Sequence, residues 1–237
     1  MPESAASEVL LQNQILAGLS VVERDRLAAS LRHLSFCAGD VVYNPGDTMQ
    51  FVYFPLSMAV SILSVMEDGE SVEVATVGNE GIVGLRSFLG LETTLGRAVA
   101  QCSGEAVTLP LETFRTELQR HERLYALVNR YSHALLTQMF QSAGCNRLHT
   151  AEQRCARWLL AMRDRCRSDE LPITQEFLGA ILGVRRQSVG LMEEQMERAG
   201  LIRYSRGKIR ILDRAALQAV ACECYKKVKE EFDRYLK

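Results

Sequence analysis

The chain has almost no net charge: 28 lysines and arginines stand against 29 aspartates and glutamates, a formal balance of -1. Any attraction to nucleic acid or to a membrane surface must therefore come from local patches and not from the molecule as a whole. It has no apolar run long enough to span a bilayer. The richest stretch, Phe51–Met66, is broken by Pro55 and by serines and falls short of the roughly 20 residues needed, so buried strands explain it better. The opening "MPESAASEVLLQNQ" lacks early lysine or arginine, the wrong polarity for a secretory signal, and the chain reads as cytoplasmic with no membrane partner. An even cysteine set is also missing. The seven cysteines at 37, 102, 145, 155, 166, 222 and 224 argue for reduced thiols and against a disulfide framework. The tightest pair, Cys222-x-Cys224, has no histidine near it in sequence and lacks two of the four ligands that zinc requires. No metal is assigned, and the pair reads as small apolar side chains on a helix; redox or metal sensing, or a redox enzyme built on the two thiols, is the alternative.

What the chain does have is 237 residues with 47% hydrophobic content, enough to bury one large core or two modest ones. Residues 13–36 show helical spacing at Leu27, Leu31 and Leu34, opened by a capping box at Ser20–Glu23. From Cys37 to about Leu111 the pattern becomes short β-rich runs punctuated by "NPGD", "EDGES", "VGNEG" and "CSGE"; Asp68-Gly69 marks a hairpin, because both residues tolerate the positive φ of a primed turn. Turns at this spacing predict a compact antiparallel roll. Helical periodicity returns at about 111 and runs to 145. There Leu124, Val128, Tyr131, Leu135 and Met139 form one apolar stripe, with a second flank at Leu127, Ala134 and Phe140, which points to self-association along this helix; a long helix wrapped by its own domain is the alternative. The pattern lapses near Gly144, a hinge is expected over 142–149, and a new helix opens with the capping box Thr150–Gln153. The chain divides into 1–145, a sensor-like roll with its long helix, and 146–237.

In the second part, "ITQEFLGAILGVRRQSVG" joins two short amphipathic segments at a glycine. Thr174 caps the first, Gly179 allows a second helix to cross closely, Gly183 turns the chain, and Val189 packs back into the angle; the result is a helix-turn-helix. The second helix begins with Arg185, Arg186, Gln187 and Ser188. Arginine can donate two hydrogen bonds to guanine and glutamine two to adenine, so these are candidate base-reading residues. After Gly200, "LIRYSRGKIRILD" alternates apolar and basic residues around Arg206-Gly207, a β-hairpin wing that adds Arg206 and Lys208. From Ile173 to Arg214, basic residues at 185, 186, 198, 203, 206, 208, 210 and 214 outnumber the acids at 176, 193, 194, 197 and 213, which suits a phosphate-lined groove.

The order of roll, long helix and winged helix-turn-helix resembles the Crp/Fnr superfamily of bacterial transcription regulators over nearly the whole chain, most specifically at "ITQEFLGAILGVRRQSVG" and "AGLIRYSRGKIRI". The resemblance implies an α+β fold, with an N-terminal antiparallel β-roll like a cyclic-nucleotide-binding domain, a long dimerisation helix and a C-terminal winged helix-turn-helix. It further implies a homodimer on two-fold symmetric double-stranded DNA with recognition helices about 34 Å apart, RNA polymerase as a further partner, and no enzymatic activity. The cyclic-AMP-binding members carry arginine, glutamate and arginine where this chain has Arg186, Gln187 and Leu191. Leu191 can touch a thymine methyl but cannot bond a base edge, so a different half-site is expected.

The sensor positions depart as well. Where those members place a ribose-holding glutamate after the residue matching Gly84, this chain has Leu85; Arg97 lies one place out of register with their phosphate-binding arginine, and Met139 and Phe140 fall where purine contacts would lie. A small-molecule effector other than cyclic AMP is expected, with these residues as its candidate site and no certain cofactor. The iron–sulfur sensors of the family need an N-terminal cysteine cluster, and Cys37 stands alone. None of the histidines at 33, 121, 133 and 149 falls between 37 and 111, which counts against haem and against a metal-dependent cupin on the roll. A roll-based binding module whose winged domain contacts protein instead of DNA is the competing reading.

Overall fold

The computed structural model describes residues 9–91 and 93–236. The charge polarity of the first eight residues, on which the cytoplasmic reading rests, lies outside them. Two short helices precede the first strand, α1 (Gln14–Ala17) and α2 (Val21–Ala28), the second started by the expected capping box in which Ser20 and Glu23 satisfy each other's backbone N–H groups. The expected helix over 13–36 ends there. Leu34 lies in strand β1 (Arg32–Phe36), because pairing with a strand some seventy residues on outweighs its local helical spacing.

Seven antiparallel strands form the roll: β1, β2 (Val41–Tyr43), β3 (Phe51–Pro55), β4 (Val60–Val65), β5 (Ser71–Val77), β6 (Arg97–Ala100) and β7 (Gly104–Pro110). They make one sheet of order β1-β7-β3 and another of order β2-β6-β4-β5. The β4–β5 hairpin turns at Asp68-Gly69 as expected, but Gly69 alone of the two takes a positive φ, +88°, and the strands close through a Met66 N–H bond to the Glu70 carbonyl at 2.8 Å, so the turn is longer than the two-residue primed turn predicted. Between the sheets, Val52, Phe54, Ala75, Val77, Ala98 and Val107 are fully buried.

Helix α3 (Leu111–Leu118) follows, and after a break at which His121 takes φ +53° comes the long helix α4 (Arg123–Leu148). The single helix expected from 111 is thus two, and α4 runs unbroken through Gly144 and past the expected hinge to Leu148. The chain leaves helical geometry at His149. The predicted self-association stripe has another use. Leu124, Val128, Tyr131 and Leu135 are buried in one core with the roll of their own chain, which takes their apolar surface from water. Tyr131 packs so closely on Gly81 of "VGNEG" that a Cβ there would fall within its ring, and its hydroxyl donates to the Ile82 carbonyl at 3.2 Å. Of the predicted stripe Met139 stays exposed (36%), and of its second flank Phe140 (77%); with Leu136 (52%) they form the exposed apolar ridge of α4, with Leu148 beyond.

Helix α5 (Ala151–Cys166), opened by the Thr150–Gln153 capping box, begins the second domain. It is followed by β8 (Glu170–Pro172), α6 (Gln175–Leu182), α7 (Arg186–Arg198), the wing strands β9 (Ile202–Ser205) and β10 (Lys208–Ile211), α8 (Arg214–Val220) and α9 (Cys224–Leu236). Strand β8, unanticipated in a three-residue run, completes a sheet of order β8-β10-β9. The two domains are not separate bodies: Ala59, Leu63, Val99 and Cys102 of the roll share a core with Trp158, Leu159, Met162 and the helix-turn-helix. The expectation of reduced thiols fails at one pair, since Cys102 and Cys166, 64 residues apart in sequence, are disulfide-bonded across this junction. Sequence spacing cannot reveal that two distant positions meet with Cα atoms 6.3 Å apart, inside the bonding range. Helix α9 folds back along α4, and no helix among the described residues is long and apolar enough to cross a membrane.

Candidate nucleic-acid interface

The helix-turn-helix is built as its residues dictate. Thr174 accepts from the Phe177 N–H at 3.2 Å and starts α6; Gly183 ends it at φ +62°, a left-handed geometry that glycine adopts without Cβ strain. At Gly179 a Cβ would lie 2.9 Å from the Val184 carbonyl oxygen, so a bare backbone is what lets the turn cross this closely. Val189 is fully buried in the angle. The Gln175 side chain donates to Glu193 at 2.7 Å and fastens the start of α6 to the middle of α7.

These constraints turn one face of α7 outward. Arg185, Arg186, Gln187, Ser188 and Leu191 are all exposed, Leu191 at 64%. Arg185 occupies the N-cap without a side-chain hydrogen bond, which leaves the first backbone N–H groups of α7 open to a phosphate. The wing tip, with Arg206 at φ +49° and Gly207 at +75°, comes back toward Thr174, within 4 Å of the position a Gly207 Cβ would take. Arg206 therefore extends the same basic surface. Among the described residues Arg185, Arg186, Arg203 and Arg206 make no ion pair, whereas Lys208 and Arg210 both bind Glu170, at 2.9 and 2.8 Å. Glu170 lies on β8, just outside the window in which basic residues predominate, and it neutralises one predicted contact, Lys208, in the free protein. The start of α7 also shares an open cleft with the β4–β5 turn: Arg185 and Arg186 line it with Gly69, Glu70 and Ser71.

The roll holds a cavity of about 370 Å³ between its strands and α4. Of the predicted effector residues, Gly84, Leu85 and Met139 line it. Two do not. Arg97 is at the start of β6, where its guanidinium donates to Asn44 at 3.1 Å, and it faces the cleft toward Thr174 instead. Phe140 lies on the outer side of α4, since one residue rotates a helix by about 100°. The charged lining residue is Arg86, held by a 2.7 Å bond to the Thr93 carbonyl and missed because the register argument pointed to β6. Tyr43, Ser64 and Thr94 add the hydroxyls; burial pushes the Tyr43 phenol up to about 12, against the pull of the Arg86 charge, so it is a neutral donor. Ile62, Val74, Val77 and Ile82 make the remaining wall largely apolar.

A family model of the Crp-like helix-turn-helix domain matches residues 153–220, and one of the cyclic nucleotide-binding domain matches residues 33–121. No curated protein matches the chain by sequence. Among solved structures, a member of the crp/fnr transcriptional regulator family from Eubacterium rectale superposes with a TM-score of 0.68 at 16% identity, covering 88% of this chain and 98% of that one. The c-di-GMP-responsive global regulator CLP of Xanthomonas campestris gives 0.67 at 17% identity, covering 82% and 100%. A CRP/FNR-family transcriptional regulator from Thermus thermophilus is 25% identical with a TM-score of 0.55, covering 80% and 98%. With a cyclic nucleotide-binding domain and a Crp-like helix-turn-helix domain joined by one long helix, the chain belongs to the Crp/Fnr superfamily of transcription regulators.

Proposed function

We propose that the protein is a homodimeric, sequence-specific regulator whose recognition helix α7 reads the major groove through Arg186 and Gln187, flanked by Arg185, Ser188 and Leu191. Thr174 and the wing residue Arg206 hold the phosphate backbone, joined by Lys208 once it leaves Glu170. The observation that carries this reading is the exposure of an ion-pair-free basic tip at a helix N-terminus whose amides are unfilled. The dimer forms along the Leu136–Met139–Phe140 ridge of α4, apolar surface that its own subunit leaves uncovered.

The effector binds in the roll cavity, and its chemistry is an apolar body with one anionic or acceptor group for Arg86. Leu135 and Met139 line that cavity from the same helix whose adjoining face carries the dimer ridge, with Met139 at the edge shared by both, and whose end meets the junction at His149. Occupation there shifts α4, and with it the relation between the two helix-turn-helix units. RNA polymerase is a further partner that the family implies, and the cytoplasm is the compartment in which such a regulator works.

Selection of DNA from a random pool with the purified chain is expected to yield a two-fold symmetric site. Alanine at Arg186 or Gln187 then weakens that site by about 1–3 kcal/mol per lost base contact. Phe140→Glu breaks the dimer in sedimentation and reduces binding to half-site affinity. No enriched site, or Arg186→Ala binding as well as wild type, supports instead a winged domain that contacts protein.

A further inference from the structure

Cys145 and His149 lie one turn apart at the end of α4, Cys222 sits in the link between α8 and α9, and Cys224 is the first residue of α9. Folding brings all four together, with their ligand atoms within 4.8 Å of one another. The Cys145 and Cys222 sulfurs are 3.5 Å apart, and the Cys224 sulfur is 3.6 Å from His149 Nδ1. The three cysteines are buried. The two ligands that the Cys222-x-Cys224 pair lacks in its own segment are thus supplied by another helix.

We infer that Cys145, His149, Cys222 and Cys224 form a tetrahedral site for a single zinc-class divalent cation. Metal–sulfur bonds of about 2.3 Å and metal–nitrogen bonds of about 2.0–2.1 Å require edges of about 3.8 Å between sulfurs and about 3.5 Å between sulfur and nitrogen. The Cys145–Cys222 and Cys224–His149 contacts match those edges, and a spacing at the 4.8 Å limit closes by about 1 Å on rotation of side chains. An iron–sulfur cluster holds its thiolates across several bridging atoms and needs them farther apart. A Cys145–Cys222 disulfide would leave Cys224 and the oriented histidine without a role.

A second observation points the same way. The outer nitrogen of His149, Nε2, lies 3.1 Å from Glu223 Oε2, leaving Nδ1 for the site; a carboxylate on the far ring nitrogen is the arrangement that orients metal-bound histidine. Gln141 Nε2 donates to the Cys224 sulfur at 3.0 Å. Three thiolates around a divalent ion leave one excess negative charge, and Arg157 and Arg154 act on Cys145 electrostatically from α5. On binding, the three thiols release their protons to solvent and no electron moves. With four protein ligands the site is closed, a fastening and not a reaction centre. It fixes the start of α9 to the end of α4, at the point where the chain passes into the DNA-binding domain.

The test uses the full chain purified under reductant without chelator, with metal content measured by mass spectrometry and the tetrahedral thiolate spectrum read after exchange with Co²⁺. One ion per chain is expected, lost in Cys145→Ser and in Cys222→Ser and retained in Cys37→Ser. Because a ligand variant can unfold, Glu223→Gln is the second arm; it keeps all four ligands and is expected to weaken zinc ten- to a hundredfold against a chromophoric chelator. Protein free of metal that also fails to take up added Zn²⁺ overturns the inference. So does iron with acid-labile sulfide, a Cys145–Cys222 disulfide in the reduced preparation, or metal retained in both ligand variants.

Discussion

Two helical glycines, eleven positions apart in the helix-turn-helix, should respond oppositely to the same substitution. Replacing glycine by alanine inside a helix gains about 1 kcal/mol from the lower backbone entropy of the unfolded chain and the better propensity of alanine. At Gly190 the new methyl would meet nothing nearer than the Gln175 amide nitrogen at 3.8 Å, an ordinary contact, so Gly190→Ala keeps the whole gain. At Gly179 it would press on the Val184 carbonyl oxygen at 2.9 Å, a backbone atom that cannot swing aside, and touch Val189 at 3.5 Å. Overpacking of this kind costs about 1–3 kcal/mol, which cancels the gain or outweighs it by up to about 2 kcal/mol. Urea unfolding of the two variants should therefore separate them by about 1–3 kcal/mol, with Gly190→Ala raising the melting temperature by about 2–4 °C. Gly179→Ala should also lower DNA affinity, because Val184 leads directly into Arg185 and Arg186. Equal stabilisation of both variants would mean that the turn does not cross α6 closely at 179, and the account of why α7 points outward would fail with it.

The Cys102–Cys166 bond closes a loop spanning 64 positions, for which the chain-entropy model gives about 4 kcal/mol; Cys102→Ser should lower the urea midpoint accordingly in the absence of reductant, and dithiothreitol should bring wild type down to the variant. A midpoint indifferent to reductant would refute that. Glu73 is buried and accepts from Ser61, Trp158 and Thr76, yet desolvation holds its carboxyl above the ordinary range. A group with a raised folded-state pKa contributes its full stability below the unfolded pKa and loses it as pH rises through the folded one. Wild type should therefore lose stability relative to Glu73→Gln as pH rises above the ordinary glutamate range, and a difference that stays constant on going alkaline of that range would refute the assignment.

How much of this was legible in the sequence depended on how local the determinant was. Capping boxes at Ser20 and Thr150 and the Gly179–Gly183–Val189 spacing act within a few residues, and each does in the fold what its pattern predicts; the hairpin at Asp68-Gly69 was placed correctly, though not its turn type. The exposed basic tip at Arg185 and Arg186 was readable for the same reason. What failed required knowing which distant element lies opposite. The apolar stripe at Leu124, Val128, Tyr131 and Leu135 was visible as a stripe, but periodicity does not say whether a roll or a second copy covers it. Arg86 was hidden from a one-residue register argument aimed at Arg97. His149 and Cys145 were invisible as partners of Cys222 and Cys224 because more than seventy residues separate the segments that fold brings together.

Helix α5 explains why the two domains share a core and what a signal must overcome. Trp158 donates to Glu73 of the roll at 3.0 Å, Arg165 pairs with Glu80 at 2.8 Å with both side chains nearly buried, and Cys166 is bonded to Cys102. At spacings of seven and eight residues these three positions fall on one face of the helix, so the roll grips the DNA-binding domain along a line by a hydrogen bond, an ion pair and a covalent bond. The grip brings the α6–α7 turn onto the β4–β5 hairpin, where Gly183 lies against Val72 and Arg185 and Arg186 share a cleft with Glu70 of an acidic turn that also contains Glu67 and Asp68. A phosphate backbone approaching that tip meets like charge from the turn. The docked arrangement is therefore the weaker DNA-binding form under the proposed mechanism; release of the domain would need the Cys102–Cys166 bond reduced as well as the buried Glu80–Arg165 pair separated, which makes it a discrete step and not a gradual loosening.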